Sequence, residues 1–332
     1  MRILVTGGAG YIGSHTARHL AARGDDVVVL DSLLTGHRAA VGDLPLILGD
    51  IRDAELVEST VRDHRIESVV HFAGLKSVEA SVGDPFGYFD VNVGGSMTLA
   101  RAAIAGGVRS LVFSSSCAVY GQPDRLPIDE QGALTPENPY GETKLATERL
   151  LRSVEAATGL RTVALRYFNA AGAADDGSTG EDWTGAVNLI PSVLRAAAGN
   201  DAFVRIFGTD FDTPDGTAIR DYVHVLDLAA AHARALDHLA DGGGSVAVNI
   251  GTGRGSSVRE VITAAESVVG HPIAVLEEAR RPGDPPAVWA DARLASELLG
   301  WTAQRDLRAI LESAWGWHRS HPRGYEPVGA GV

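Results

Sequence analysis

Tyr140 and Lys144 stand four residues apart in Asn138-Pro139-Tyr140-Gly141-Glu142-Thr143-Lys144. On a helix they share one face, one turn from each other. An ammonium beside a phenol favours the phenolate, drawing down an acid whose ordinary pKa is about 10. The tyrosine then serves as a base near neutral pH. Upstream, Ser114-Ser115-Ser116 closes an apolar run, and the Ser116 hydroxyl is suited to orient an alcohol oxygen against the tyrosine. A Tyr-x-x-x-Lys taken alone is most simply a helix start followed by a solvated lysine. A second signal in the same chain changes that reading.

That signal is Thr6-Gly7-Gly8-Ala9-Gly10-Tyr11-Ile12-Gly13, which follows an apolar run and opens a helical pattern. Glycines such as Gly7, Gly10 and Gly13 permit a tight turn and a close approach of backbone N–H groups to a pyrophosphate at the positive end of the helix. Asp31 ends the next strand-like run, 18 residues after Gly13. A carboxylate there accepts hydrogen bonds from an adenosine ribose and repels the extra phosphate of NADP. The expected cofactor is therefore NAD, and the expected chemistry is oxidation of an alcohol.

The elements that must position these groups alternate through the first half of the chain. Ile3–Val5, Val27–Leu30, Leu46–Leu48, Val69–His71, Leu111–Phe113 and Val163–Tyr167 read as strands, with consecutive apolar residues as expected for burial on both faces. Tyr11–Arg23, Ala54–Asp63, Tyr88–Gly106 and Tyr140–Thr158 have helical length and spacing. The pattern predicts an α/β fold, a doubly wound (Rossmann-type) parallel sheet spanning residues 1–169. Longer Gly, Asp and Pro-containing loops follow, so a second, smaller α/β domain is expected over 170–332, with 246–250 able to return to the first sheet.

Composition narrows the function. The 332 residues carry 29 basic and 42 acidic side chains, net charge −13, which argues against a nucleic-acid partner. Cys117 is the only cysteine. No intrachain disulfide can form, and the thiol reads as buried and inert. No signal-peptide core or membrane-length apolar run is evident, so the chain reads as cytoplasmic and soluble. His15 and His19 stand four apart without a third ligand in the helix pattern, so no metal is expected.

Through Thr6–Gly13, Asp31, Ser116 and the Tyr140/Lys144 pair the sequence resembles the extended short-chain dehydrogenase/reductase family. Along nearly its whole length it is similar to the UDP-glucose 4-epimerase branch of that family. The telling stretches are His71-Phe72-Ala73-Gly74-Leu75-Lys76, Ser114 to Gly121, Leu165-Arg166-Tyr167-Phe168-Asn169 and Arg220-Asp221-Tyr222-Val223-His224-Val225. The resemblance implies interconversion of UDP-glucose and UDP-galactose through a transient 4-keto sugar, with NAD bound throughout. It places Gly7, Gly10, Tyr11, Ile12, Gly13, Asp31, Asp50 and Ile51 around NAD. It adds Phe72, Ala73, Gly74, Leu75, Lys76, Asn92 and Phe168 to that set, along with Tyr140 and Lys144. Around the UDP-hexose it places Ser116, Asn169, Asn188, Leu189, Arg205, Ile206 and Phe207. Arg220 and Arg281 are the implied diphosphate ligands, and Asp284 is suited to ribose hydroxyls. The second domain is then the UDP-sugar-binding one.

Two departures from the family pattern matter. Ala118 stands where many of these epimerases carry Thr, removing one hydroxyl near the sugar. Val288 stands where enzymes restricted to glucose and galactose nucleotides often place a bulky Tyr, so turnover of UDP-GlcNAc or UDP-GalNAc is expected as well. A 4,6-dehydratase needs an acid and a base where Cys117 and Ala118 stand, and neither moves that proton. The core motifs alone leave a UDP-glucuronate epimerase or decarboxylase open. A non-enzymatic NAD-binding redox sensor would be expected to lack Tyr140 or Lys144. Relatives commonly pair through the two helices represented by Tyr88–Gly106 and Tyr140–Thr158, so a homodimer is expected.

Overall fold

Strand residues in the first half point alternately to two faces, and both faces are apolar. The computed structural model, which describes residues 1–184, 186–281 and 283–325, resolves this into seven strands. They are β1 (Arg2–Thr6), β2 (Asp26–Asp31), β3 (Leu46–Leu48), β4 (Ser68–His71), β5 (Ser110–Ser116), β6 (Arg161–Tyr167) and β7 (Val246–Ile250). They lie in the order β7-β6-β5-β4-β1-β2-β3, every neighbouring pair parallel. This is the doubly wound sheet expected from the sequence.

Helices α1 (Tyr11–Ala22), α2 (Ala54–Asp63), α3 (Gly95–Ala105), α4 (Pro139–Thr158) and α5 (Val225–Ala240) cover the sheet. Ile3, Val5, Val29 and Val70 meet Ala17 and Leu20 of α1 and Leu228 and Leu236 of α5 on one face. Leu4, Val28, Val69 and Leu111 meet Val57 and Val61 of α2, Leu99 of α3 and Leu151 of α4 on the other. Ile3, Leu4 and Val5 are each 0% exposed, and full burial of such a side chain contributes about 1.5–3 kcal/mol. The ends of α4 are set locally. Asn138 accepts a hydrogen bond from Gly141 N, Pro139 occupies the first turn, and Gly159 terminates the helix at φ 78°.

The continuous helix expected over Tyr88–Gly106 is instead broken. A short helix Pro85–Tyr88 leads into a π-helical turn at Phe89–Gly94, and only then does α3 begin. The wider turn carries Asn92, 4% exposed, whose carboxamide bonds Leu75 N at 2.7 Å, Leu75 O at 3.0 Å and Thr143 Oγ1 at 2.9 Å. Three buried polar contacts compensate for the weaker helical geometry.

Beyond β6 the chain builds a second core in which Trp183, Ile190, Leu194, Val204, Ile206, Val261, Ile310 and Leu311 pack together. Helices Leu189–Ala197, Val258–Val269 and Leu307–Ser320 supply much of it, beside a two-stranded sheet of Val204–Phe207 and Val275–Glu278. Between these parts the chain crosses back, contributing α5 and β7 to the first sheet. Among the described residues no helix is long and apolar enough to cross a membrane.

Candidate active site and cofactor cleft

The glycine turn after β1 is dictated by close contacts. Gly7 has φ 71°, and a Cβ there would lie 2.5 Å from Ala73 N. A Cβ on Gly13 would lie 2.2 Å from the Gly7 carbonyl oxygen. Gly10 caps α1 with no side-chain hydrogen bond, so the first N–H groups of this helix face the cleft with no side chain capping them. Asp31, 7% exposed, accepts Ala9 N at 2.9 Å and Leu33 N at 2.8 Å, one on each carboxylate oxygen. Each oxygen keeps a lone pair for a ribose hydroxyl. These features fit a dinucleotide.

One cleft at the carboxyl ends of the strands is lined by Gly7, Gly10, Tyr11, Ile12, Gly13, Asp31, Asp50 and Ile51. The same cleft takes in Phe72, Ala73, Gly74, Leu75 and Lys76, and reaches Tyr140 and Lys144. Arg52 grips Asp50 from both its backbone and its guanidinium, holding that carboxyl below its ordinary range. Asn92 lies behind the wall, tying Leu75 to α4 through Thr143. Phe168 is likewise behind it, 6% exposed in an apolar cluster with Val119, Tyr120, Leu145 and Val288.

Lys144 is 7% exposed and donates to the Ser114 carbonyl at 2.8 Å. Its Nζ lies 5.0 Å from the centre of the Phe113 ring and 5.7 Å from that of Tyr140. Burial pulls the ammonium down to about 8, while Glu148 pushes it up. Tyr140 departs from the sequence expectation. Burial, and then the neighbouring Tyr167, raise its phenol well above the ordinary value, and the Ser116 hydroxyl pulls it back. The physical reason is that Lys144 makes its hydrogen bond to a carbonyl, so the ammonium faces the ring from a distance while desolvation acts on the phenol directly. Ser116, 8% exposed, accepts Ala118 N at 3.2 Å, leaving its own proton to donate. Cys117 is pushed up to about 12 by burial, so it is no nucleophile. His15 is buried against the carbonyls of Tyr11 and Thr179, and among the described residues no group of three or more His, Cys, Asp or Glu could hold a metal ion.

The residues assigned to the nucleotide sugar gather only in part. Arg220 Nη2 lies 3.8 Å from Asp284 Oδ1, and Arg281 stacks 3.7 Å over the Phe207 ring. Val288 is the strand partner of Arg220 and is 8% exposed. Asn169 N donates to Asp221 O at 2.9 Å, while Asn188 occupies the N-cap position of the helix that begins at Leu189, with no side-chain cap, and draws the Glu181 carboxyl down. Ile206 turns its side chain into the second core. Arg205 is exposed and paired with Glu278 at 2.9 Å, apart from the Arg220 pair.

The structure adds residues that motif reading missed. Glu181 lines the cofactor cleft and is buried, which raises its carboxyl to about 7, with Lys76 opposing. Beside it Asp182 pairs with His37 at 2.9 Å, His37 stacks on Tyr325 at 4.7 Å, and the Tyr325 hydroxyl meets Thr179 Oγ1 at 2.6 Å. These groups come from both halves and lie far apart in sequence, so no local pattern announces them.

Comparison with known proteins agrees with this geometry. Residues 3–251 match the model of the NAD dependent epimerase/dehydratase family. A UDP-glucose 4-epimerase of Halalkalibacterium halodurans is 47% identical over 98% of each chain. The crystal structure of UDP-glucose 4-epimerase from Brucella ovis in complex with NAD superposes with TM-score 0.92 at 48% identity, covering 95% of this chain and 97% of that one. That from Bifidobacterium longum in complex with NAD+ and UDP gives TM-score 0.92 at 41% identity, covering 98% and 100%. With a dinucleotide turn, a Tyr–Lys–Ser group gathered at the end of β5 and full-length similarity of this degree, the chain belongs to the NAD dependent epimerase/dehydratase family, among its UDP-glucose 4-epimerases.

Proposed function

We propose that this chain interconverts UDP-glucose and UDP-galactose by transient oxidation at C4 of the hexose. The observation that carries this is the convergence of Ser116, Tyr140 and Lys144 at the end of β5, where the dinucleotide-fitting cleft ends. NAD bound in that cleft supplies a hydride acceptor that is regenerated within each turnover. Tyr140 exchanges a proton with O4, taking it as C4 is oxidised and returning it as C4 is reduced. Burial alone would keep the proton on the phenol; the Ser116 hydroxyl opposes that, and the Lys144 ammonium stands 5.7 Å from the centre of the ring. Ser116 also orients O4. Arg220 and Arg281 hold the diphosphate and Asp284 the ribose, so binding energy sits on the nucleotide and the ketone is free to present either face.

On this reading residues 1–169 carry the cofactor and 170–332 the nucleotide sugar, with the 246–250 strand lent to the first sheet. The reaction belongs in the cytoplasm, in keeping with a single unpaired thiol. The purified protein is expected to equilibrate UDP-glucose and UDP-galactose without added NAD. Absence of turnover with and without added cofactor would favour a redox sensor instead. Because Val288 is small, UDP-GlcNAc and UDP-GalNAc are expected to be converted too, and Val288→Tyr to suppress that conversion while sparing UDP-galactose. Product analysis on all four sugars checks both statements.

A homodimer is part of the same proposal. Val82 is 66% exposed, Phe86 87% and Phe89 43%, and they crowd the entry to α3. An apolar surface of this kind favours a self-complementary partner. Light scattering is expected to give the mass of two chains, and the mass of one would contradict it.

A further inference from the structure

We propose that Glu148, clamped by Arg166, is a positioning residue for the reaction: it seats α4, and with it Tyr140 and Lys144, against the end of β5. This rests on the reading that Lys144 and Tyr140 carry the proton chemistry.

Glu148 lies one turn after Lys144 on α4, and its side chain is 5% exposed against 3% for Arg166. Arg166 Nε donates to Glu148 Oε1 at 2.9 Å and Nη2 to Oε2 at 2.5 Å, a two-pronged clamp. The Ser115 hydroxyl donates to Oε1 of the same carboxylate. Arg166 Nη1 donates to Tyr120 Oη at 2.9 Å, and Tyr120 donates to Asn249 Oδ1 at 2.7 Å. Asn249 in turn donates its side-chain amide to Ile128 O at 2.9 Å and its backbone N–H to Glu130 Oε1 at 2.8 Å. One buried chain of polar contacts therefore links α4, β5, β6 and β7.

Stability does not explain such a cluster. A buried ion pair costs about as much in lost hydration as it returns, and apolar residues of similar volume often serve as well. Its placement is more informative. Lys144 fixes the carbonyl of Ser114, and Glu148 fixes the hydroxyl of Ser115, so two successive turns of one helix grip the two residues immediately before Ser116. Tyr140 sits one turn earlier on that helix. The clamp thus sets the separation of the two groups that must meet O4.

The charges around Lys144 agree. His71 from β4 faces it as a neutral ring, driven down to about 3 by burial and by the ammonium itself. Tyr140 on α4 and Tyr167 on β6 are phenols raised by burial, as is Tyr88 on the helix before the π turn. Arg166 lies behind the carboxylate. Glu148 is the anion that opposes desolvation of the ammonium. Removing its charge lowers the Lys144 pKa, so the charged form is lost at lower pH than in the parent.

The test compares Glu148→Gln, Glu148→Gln with Arg166→Met, and Lys144→Met, all as purified full chains. Glu148→Gln is expected to lower kcat about tenfold or more at pH 8 with KM little changed, and to move the alkaline limb of kcat toward acid by about 1 pH unit. The double variant restores a neutral pair and is expected to recover melting temperature while keeping the shifted limb. It carries the same test if the single variant does not fold. An unmoved limb in a folded variant, together with inactive Lys144→Met, overturns the proposal. Full turnover by Lys144→Met would instead overturn the reading of Lys144.

Discussion

Tyr140→Phe is expected to fold, retain its cofactor and convert UDP-galactose about 10²- to 10⁴-fold more slowly than the parent. The change removes one oxygen and leaves the ring, so the packing of α4 against the sheet is preserved and the effect isolates the proton exchange. Ser116 can still orient O4 but is a far weaker base, and Lys144 is turned to the Ser114 carbonyl, so neither takes over. Because the phenol makes no contact with the nucleotide in this reading, the loss belongs in kcat with KM nearly constant. Initial-rate kinetics, with cofactor content measured on the same sample, check it. Turnover within tenfold of the parent would remove the tyrosine from the chemistry.

Gly13→Ala is expected to have a comparably large effect by a different route. The added methyl would lie 2.2 Å from the Gly7 carbonyl oxygen and 2.9 Å from Gly8 Cα, both rigid backbone. Helix α1 must move off the turn, and overpacking of this kind costs about 1–3 kcal/mol or more. The movement displaces the N–H groups that would meet a pyrophosphate, so the purified variant is expected to carry little NAD and to convert sugar only when cofactor is added in excess. Gly10→Ala makes the contrast, because its methyl would meet the same oxygen at 3.3 Å, close but tolerable. Absorbance of bound cofactor and thermal melting separate the two variants. Equal cofactor content in both would refute the steric account.

Much of the cofactor half was legible because each signal is local. Runs such as Ile3-Leu4-Val5 and Val27-Val28-Val29-Leu30 leave few alternatives to buried strands, and Gly7 to Gly13 announces its turn by composition. The π turn at Phe89–Gly94 was missed because apolar spacing across it still looks helical, and the cause is Asn92 reaching Leu75 and Thr143. In the second half, strand Val275–Glu278 is exposed throughout and so shows no alternation to read. The raised phenol of Tyr140 was also hidden. Spacing gives the nearness of a lysine but not the burial that outweighs it. Arg166 and Glu148, on different elements, meet only once β6 lies beside β5, although the step from Lys144 to Glu148 repeats the step from Tyr140 to Lys144.

The late arrival of β7 and α5 has a consequence for how the protein is made. As the nascent chain emerges, β6 has no neighbour on its outer side until residues 246–250 are synthesised, and the face holding Val163 and Leu165 lacks the cover of α5. Until then it is an open, apolar edge of the kind that recruits other strands. The N-terminal half therefore cannot mature first and wait for its companion. A chain stopped at residue 169 is expected to aggregate, because translation must pass through much of the second core before the first sheet is sealed.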